Sequence, residues 1–392
     1  MTETSPIAGL HAATAELDPP LVALDLPTLR RNAADLVLRA NGVPVRVASK
    51  SVRCRAVLAE VLGDGLTAAD GFAGIMAYSL REAIWLVRCG ARDILLGYPT
   101  VDRSALAELA TDDTLLESIT LMVDDVAQLD LIRAAVGTDR VRPRVCLDVD
   151  AALRIGSLHL GVRRSPVRSP DQAAALAKSA QHKNFAVVGV MTYEAQIAGL
   201  PDSSGALRLV KRLSAAQIVR RRGAVLDAVV SVAGGLEIVN SGGTGSIEVS
   251  IADPNVTEVS AGSGLYVPTL FDQYRSFTPR PAVFFALPVL RRPSPRIATV
   301  FAGGYIASGP AGRSRVPKPV WPKGLKLLGA EGAGEVQTPL DGAARLPVGD
   351  RVWLRHAKAG ELCERFDTVH LVDADGSRVA VPTYRGEGFC FG

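Results

Sequence analysis

The chain has 392 residues, 48% of them hydrophobic, and a formal net charge of only +4. That length favours about two domains over one, and the scattered charge lacks the dense basic face of a nucleic-acid binder. Five widely spaced cysteines without a CxxC pair exclude a disulfide framework and fit reduced thiols in the cytoplasm. No basic-then-apolar leader opens the sequence and no apolar run reaches membrane length, so no membrane partner is expected.

About the first dozen residues carry no pattern and are expected to be unstructured. Residues 21–25 read as a short strand. Residues 27–40 read as a helix with Leu29, Ala33, Leu36, Val37 and Ala40 on one face and Gly42 as its C-terminal cap. Eight further strands are predicted at 45–49, 66–70, 94–98, 120–123, 144–150, 187–194, 237–241 and 257–261. Helical segments separate most of them, among them 79–89, 126–136, 170–180 and 205–222. Arg220, Arg221 and Arg222 would close the last of these, where cations complement the helix dipole. Eight β-then-α units over about 250 residues match a (β/α)8 TIM barrel. A doubly wound sheet is the structural competitor, and the count of eight favours the barrel, assigned to residues 20–280.

Beyond residue 280 the texture changes, with prolines at 281, 288, 293 and 295 and at intervals to 347. Strand-like runs lie at 282–290, 297–302, 325–328, 351–355, 368–372 and 378–381, and Asp375-Gly376 is a hairpin turn. These residues, 281–392, read as a C-terminal all-β domain that the strand at 21–25 is placed to join. The glycine-rich runs 303–309 and 331–338 read as turns, and Trp321 and Trp353 as core.

Barrel active sites sit at the C-terminal ends of the strands. The first barrel strand ends at Lys50, with Arg46, Arg53 and Arg55 nearby in sequence. Neighbouring cations and burial make a lysine amine a nucleophile suited to Schiff-base formation. The seventh strand ends in Ser241, Gly242, Gly243 and Thr244, and the eighth in Gly262 and Ser263. Glycine and hydroxyl residues at those two ends fit a phosphate cradle. Tyr193 lies at the end of the sixth strand and Arg154 follows the fifth. An amine, a phosphate site, an aromatic ring and a cation on one barrel face are what pyridoxal 5'-phosphate requires.

These segments resemble the fold-type III pyridoxal-phosphate enzymes, the alanine racemase-like barrel group. Within it they are most similar to the D-threonine aldolase / D-serine dehydratase-like family. Residues 21–32, 49–53, 193–194, 241–244 and 258–263 carry the resemblance. It implies Lys50 as internal aldimine, Gly242, Gly243, Thr244, Gly262 and Ser263 around the phosphate, and Tyr193 beside the cofactor. Arg154 is assigned to the pyridine nitrogen, with Arg163 as rival. His356 ends a segment resembling one whose histidine binds a divalent metal in part of the family. The cysteine expected two residues later is Lys358 here, which leaves the metal in doubt and makes His356 alone a candidate general base. The resemblance implies a homodimeric lyase acting on a small β-hydroxy-α-amino acid by aldol cleavage or dehydration. A racemase, with Tyr305 of the partner subunit as second base, and a non-catalytic cofactor-binding protein are the alternatives. The all-β domain speaks against the last, because the small cofactor-binding barrels lack one.

Overall fold

In the computed structural model, residues 6–137, 141–156, 158–200, 202 and 205–392 are described. The strands, in chain order, are β1 (Leu21–Asp25), β2 (Val45–Ala48), β3 (Phe72–Ala77), β4 (Ile94–Leu96), β5 (Ile119–Val123), β6 (Arg144–Asp148), β7 (Leu153–Ile155) and β8 (Leu158–Leu160). They continue with β9 (Ala186–Thr192), β10 (Ile238–Ser241), β11 (Glu258–Ala261), β12 (Val283–Ser294), β13 (Ile297–Phe301), β14 (Lys318–Trp321), β15 (Lys326–Leu327) and β16 (Gln337–Asp341). The last are β17 (Arg351–Arg355), β18 (Thr368–Val372) and β19 (Arg378–Pro382).

Side-chain caps set many of the helix starts. Asp25 accepts the Thr28 N–H at 2.7 Å and Pro27 occupies the first turn, which starts the helix Leu26–Ala40 directly after β1. Asn41, in the left-handed region, ends it one residue before the expected Gly42. Ser169 and Gln172 form a reciprocal capping box, with Pro170 at the first helical position of Pro170–His182. Such helices return the chain so that β2, β3, β4, β5, β6, β9, β10 and β11 pair in parallel and close a barrel. The open-sheet competitor is therefore excluded.

Inside the barrel, Leu95, Met122, Cys146, Val188, Met191 and Ile238 pack together. Below the site Arg46 is buried between Glu258, at 2.7 Å, and Asp93, at 2.9 Å. An arginine there is tolerable because its charge is compensated on two sides.

β1 leaves the barrel and pairs antiparallel with β12 and parallel with β18, in a nine-stranded sheet built otherwise from the C-terminal residues. That sheet reaches back over the barrel's C-terminal mouth. Thr269 and Leu270 donate their N–H groups to the carbonyls of His356 and Ala357, at 3.1 and 3.3 Å. Gly360, with φ +88°, lies so close to the Lys50 carbonyl that a Cβ would sit 1.9 Å from its oxygen.

Several sequence expectations are corrected. The second barrel strand is not 66–70 but β3, because Leu66 and Gly71 take positive φ and break an extended run there. The helix ending at 222 continues as Gly205–Ala233, so the three arginines lie mid-helix; Gly223 is tolerated and Gly234 follows the end. β14 and β16 form despite Pro319 and Pro339. Residues Pro6–Ala13 are a helix, not an unstructured lead. Its Ile7 and Leu10 pack with Leu21, Phe284 and Trp353, and Arg351 donates to the carbonyls of Thr14, Ala15 and Leu17.

Candidate active site

A 3-10 turn, Ser49–Ser51, follows β2 and carries Lys50 at the barrel mouth. The Ser49 hydroxyl donates to the Met76 carbonyl at 3.0 Å, fixing the turn to the next strand. Lys50 Nζ meets the Tyr98 hydroxyl at 2.5 Å, just beyond β4. Burial pushes the Tyr98 phenol up, but the adjacent Lys50 and Arg164 charges outweigh it and hold its pKa below the ordinary tyrosine value. The Arg164 guanidinium lies 5.6 Å from the Tyr98 ring centre and 5.4 Å from that of Tyr193. Burial raises the Tyr193 phenol, with Lys50 and Arg164 opposing. Asp148, at the end of β6, is pushed to about 7 by burial and by Asp124, against Arg164.

Lys50, Tyr98, Arg164 and Tyr193 share one cavity of about 250 Å³, floored by Ala48, Met76, Met191, Asn240 and Ser260. Its far wall is the pair of glycine loops, with Gly242, Gly243, Thr244, Gly262 and Ser263 all lining it. Gly262 backs onto Ala48, where a Cβ would stand 2.3 Å from a carbonyl oxygen, so no larger residue fits. Thr244 Oγ1 accepts the Gly264 N–H at 2.9 Å and ties the two loops together. Glu194 anchors the first loop from behind. Its carboxylate accepts the Gly242 N–H at 3.2 Å and the hydroxyls of Ser241, Ser246 and Ser250 at 2.9, 2.9 and 2.5 Å. The adjacent residues Tyr193 and Glu194 thus divide the work, one ring toward the cavity and one carboxylate into its support.

The family model for the alanine racemase N-terminal domain matches residues 24–269. The chain belongs to that family. It therefore has a fold-type III pyridoxal-phosphate enzyme barrel, and pyridoxal 5'-phosphate is the cofactor of the group. No curated protein sequence matches significantly. Among solved structures, D-threonine aldolase from Filomicrobium marinum superposes with TM-score 0.80 at 22% identity, over 96% of this chain and 97% of that one. D-threo-3-hydroxyaspartate dehydratase from Delftia sp. HT23 gives 0.74 at 22%, over 94% and 97%. Alanine racemase from Corynebacterium glutamicum gives 0.59 at 16%, over 86% and 90%. At these identities the likeness is one of fold.

The alanine racemase-type barrel brings together Lys50, Tyr193 and the glycine residues expected from sequence. It does not bring in Arg154, which lies on the β7–β8 hairpin and turns outward to Asp150 at 2.8 Å. Arg163 also stays off the cavity; the arginine that enters is its neighbour, Arg164. Ser241 faces away, its hydroxyl held between Glu194 and the Arg222 guanidinium, at 2.6 Å from the latter. His356 is only 3% exposed, has no hydrogen-bond partner on either ring nitrogen, and lines a separate pocket with Tyr305. Burial and Arg355 push its pKa down to about 3, too low for an efficient base near neutrality.

The cofactor and the metal fare differently. The cradle fits a phosphate: its loops line the cavity, and the Thr244 and Gly245 N–H groups have no partner among the described residues. For a divalent metal, no group of three His, Cys, Asp or Glu side chains gathers among the described residues, and Lys358 stands two residues after His356. Tyr98, Arg164, Arg315 and Lys358 line the cavity and were not selected from sequence. Tyr98 alone had a signal, as the last residue of a predicted strand.

Proposed function

We propose that the chain is a pyridoxal-phosphate-dependent lyase acting on a β-hydroxy-α-amino acid, of D configuration by family likeness. One observation carries the reading: Lys50, the glycine cradle, Tyr98, Tyr193 and Arg164 share a single cavity at the C-terminal mouth of the barrel. Likeness to a D-threonine aldolase and a D-threo-3-hydroxyaspartate dehydratase over nearly the whole chain supports the choice of substrate class.

When bound, the cofactor supplies an aldehyde for amines and an electron-accepting ring conjugated to the substrate Cα. The chain does the rest. Lys50 presents its amine, which donates to the Tyr98 oxygen at 2.5 Å; with its pKa lowered, Tyr98 as phenolate would take the proton of the Lys50 ammonium. Arg164 and Tyr193, which lie against each other in the cavity, would contact the cofactor ring, and the Glu194-braced loop would hold its phosphate. Arg164 is the arginine that would be available to the ring nitrogen; it would keep that nitrogen from becoming a full pyridinium, a weaker electron sink that suits racemisation or aldol cleavage.

The test is a panel of D- and L-β-hydroxy-α-amino acids incubated with holoenzyme. Glycine plus an aldehyde identifies aldol cleavage; a keto acid plus ammonia identifies dehydration. Turnover confined to exchange of the Cα hydrogen with solvent would replace this reading with the racemase. A homodimer, also proposed from the family likeness, is read by sedimentation.

A further inference from the structure

Arg315 and Lys358 reach the Lys50 cavity from the all-β side. No aspartate or glutamate lines that cavity, so neither cation meets an acid there. The Arg315 Nε is buried without a hydrogen-bond partner, and Nη1 reaches only Ser314, at 3.4 Å. Lys358 Nζ donates to the Ser308 hydroxyl at 3.1 Å. Glu361, which faces Lys358, has its carboxylate engaged by the Ser308 N–H at 2.9 Å and makes no ion pair within 4 Å among the described residues. Arg164, by contrast, has the buried Asp148 carboxylate within its field.

The two cations are held in place by backbone. The Arg315 carbonyl accepts the Ala307 N–H at 2.8 Å. Gly309, at φ +115°, packs so tightly that a Cβ would lie 2.8 Å from the Arg315 Nε. The contact of Gly360 with the Lys50 carbonyl fixes Lys358 over the mouth. Lys358 and Lys50 also line a second pocket with Tyr193, Ser263, Ser308 and Glu361. Arg315 meets no acid in the Lys50 cavity, and Lys358 has only the Glu361 carboxylate in its field, with no ion pair within 4 Å among the described residues; partly buried charges so placed are costly unless a ligand supplies a partner.

We propose that Arg315 and Lys358 form the subsite for the α-carboxylate of the amino-acid substrate. In an amino acid that carboxylate carbon is two bonds from the nitrogen. A nitrogen brought to the Lys50 amine keeps its carboxylate inside the cavity that Arg315 and Lys358 line from the all-β side. The proposal rests on the cofactor reading of Lys50, and it makes the all-β part the source of substrate affinity while the barrel holds the cofactor.

The experiment titrates holo protein with D-alanine and with D-alaninamide, and with the L pair, following the visible absorbance of the cofactor. Both probes carry the amine and lack a β-hydroxyl; only one carries a carboxylate. Wild type is expected to prefer alanine by about 10- to 100-fold, the usual effect of a charge-assisted contact. R315M and K358M each bring the ratio close to one, and K358R restores much of it. R315Q and K358Q replace any variant that fails to fold. Borohydride fixation of cofactor to Lys50, measured on the same samples, stays at the wild-type yield. Equal affinity of wild type for the two probes overturns the proposal, and so does a variant that keeps the preference. Loss of cofactor from the variants also overturns it, by placing the phosphate at these cations. Absence of label on Lys50 in wild type instead defeats the cofactor reading beneath it.

Discussion

Gly360 joins the all-β sheet to the turn that carries Lys50, and replacing it with alanine tests whether that contact builds the site. Its φ of +88° is a region where an L residue costs about 1–2 kcal/mol. The added Cβ would lie 1.9 Å from the Lys50 oxygen and 2.9 Å from both the Lys50 carbonyl carbon and the Ser51 Cα. Those are backbone atoms, so no rotamer change relieves the overlap, and overpacking adds about 1–3 kcal/mol. Gly376 is the control: its φ is +81°, but nothing lies within 4 Å of its built Cβ, so G376A carries the backbone cost alone. Denaturant unfolding is therefore expected to show G360A less stable than wild type by roughly 2–5 kcal/mol and less stable than G376A by roughly 1–3 kcal/mol. Because the displaced atoms belong to Lys50 and its turn, G360A also lowers borohydride-fixed cofactor on Lys50, while G376A does not. Equal stability of the two variants, with full labelling in both, would refute the reasoning.

Three further outcomes follow from the same geometry. E194A leaves the Gly242 N–H and three hydroxyls without their shared acceptor; titration of apo protein should show pyridoxal phosphate bound about tenfold or more weakly, with E194Q milder. Burial raises Glu82 to about 7 from an ordinary 4.5, so the folded state holds the proton more tightly and stability is full below about pH 4.5 and lost as pH rises through 7. Unfolding between pH 5 and 8 should show a fall to which Glu82 contributes about 3 kcal/mol, and E82Q should flatten that slope. With no three-ligand group among the described residues, chelator and added divalent metals are expected to leave turnover unchanged within about twofold; an activity that vanishes with chelator contradicts the site as drawn.

The legible part of the site was the part that a strand end determines. Lys50 and the two glycine loops follow from the rule that barrel chemistry sits beyond the C-terminal strand ends, and the glycines also announce close backbone approach. Residues on irregular segments were not legible. Arg154, Arg163 and Arg164 lie within eleven residues of sequence around a hairpin, where no periodicity tells which guanidinium turns inward. Ser241 had the right position and residue type, yet its hydroxyl is claimed by Arg222 from a helix whose length was underread. Arg315 and Lys358 are placed by pairings between the sheet and the barrel mouth, and long-range contact of that kind leaves no local signature. The strand at 66–70 failed for a different reason: its apolar residues fit an extended run, but Gly71 and the left-handed Leu66 turn the chain before β3. The amphipathic content of residues 6–13 was too short to read as a helix, and it is held by packing against Trp353 and Phe284.

The most direct measurement is chemical. Purified protein is mixed with pyridoxal phosphate, its visible spectrum recorded, and the complex reduced with borohydride and mapped by peptide mass spectrometry. The account predicts a visible band that reduction abolishes and a single labelled peptide carrying the cofactor on Lys50, both lost in K50A. No band, or a label on another lysine such as Lys358 with Lys50 unmodified, would contradict it.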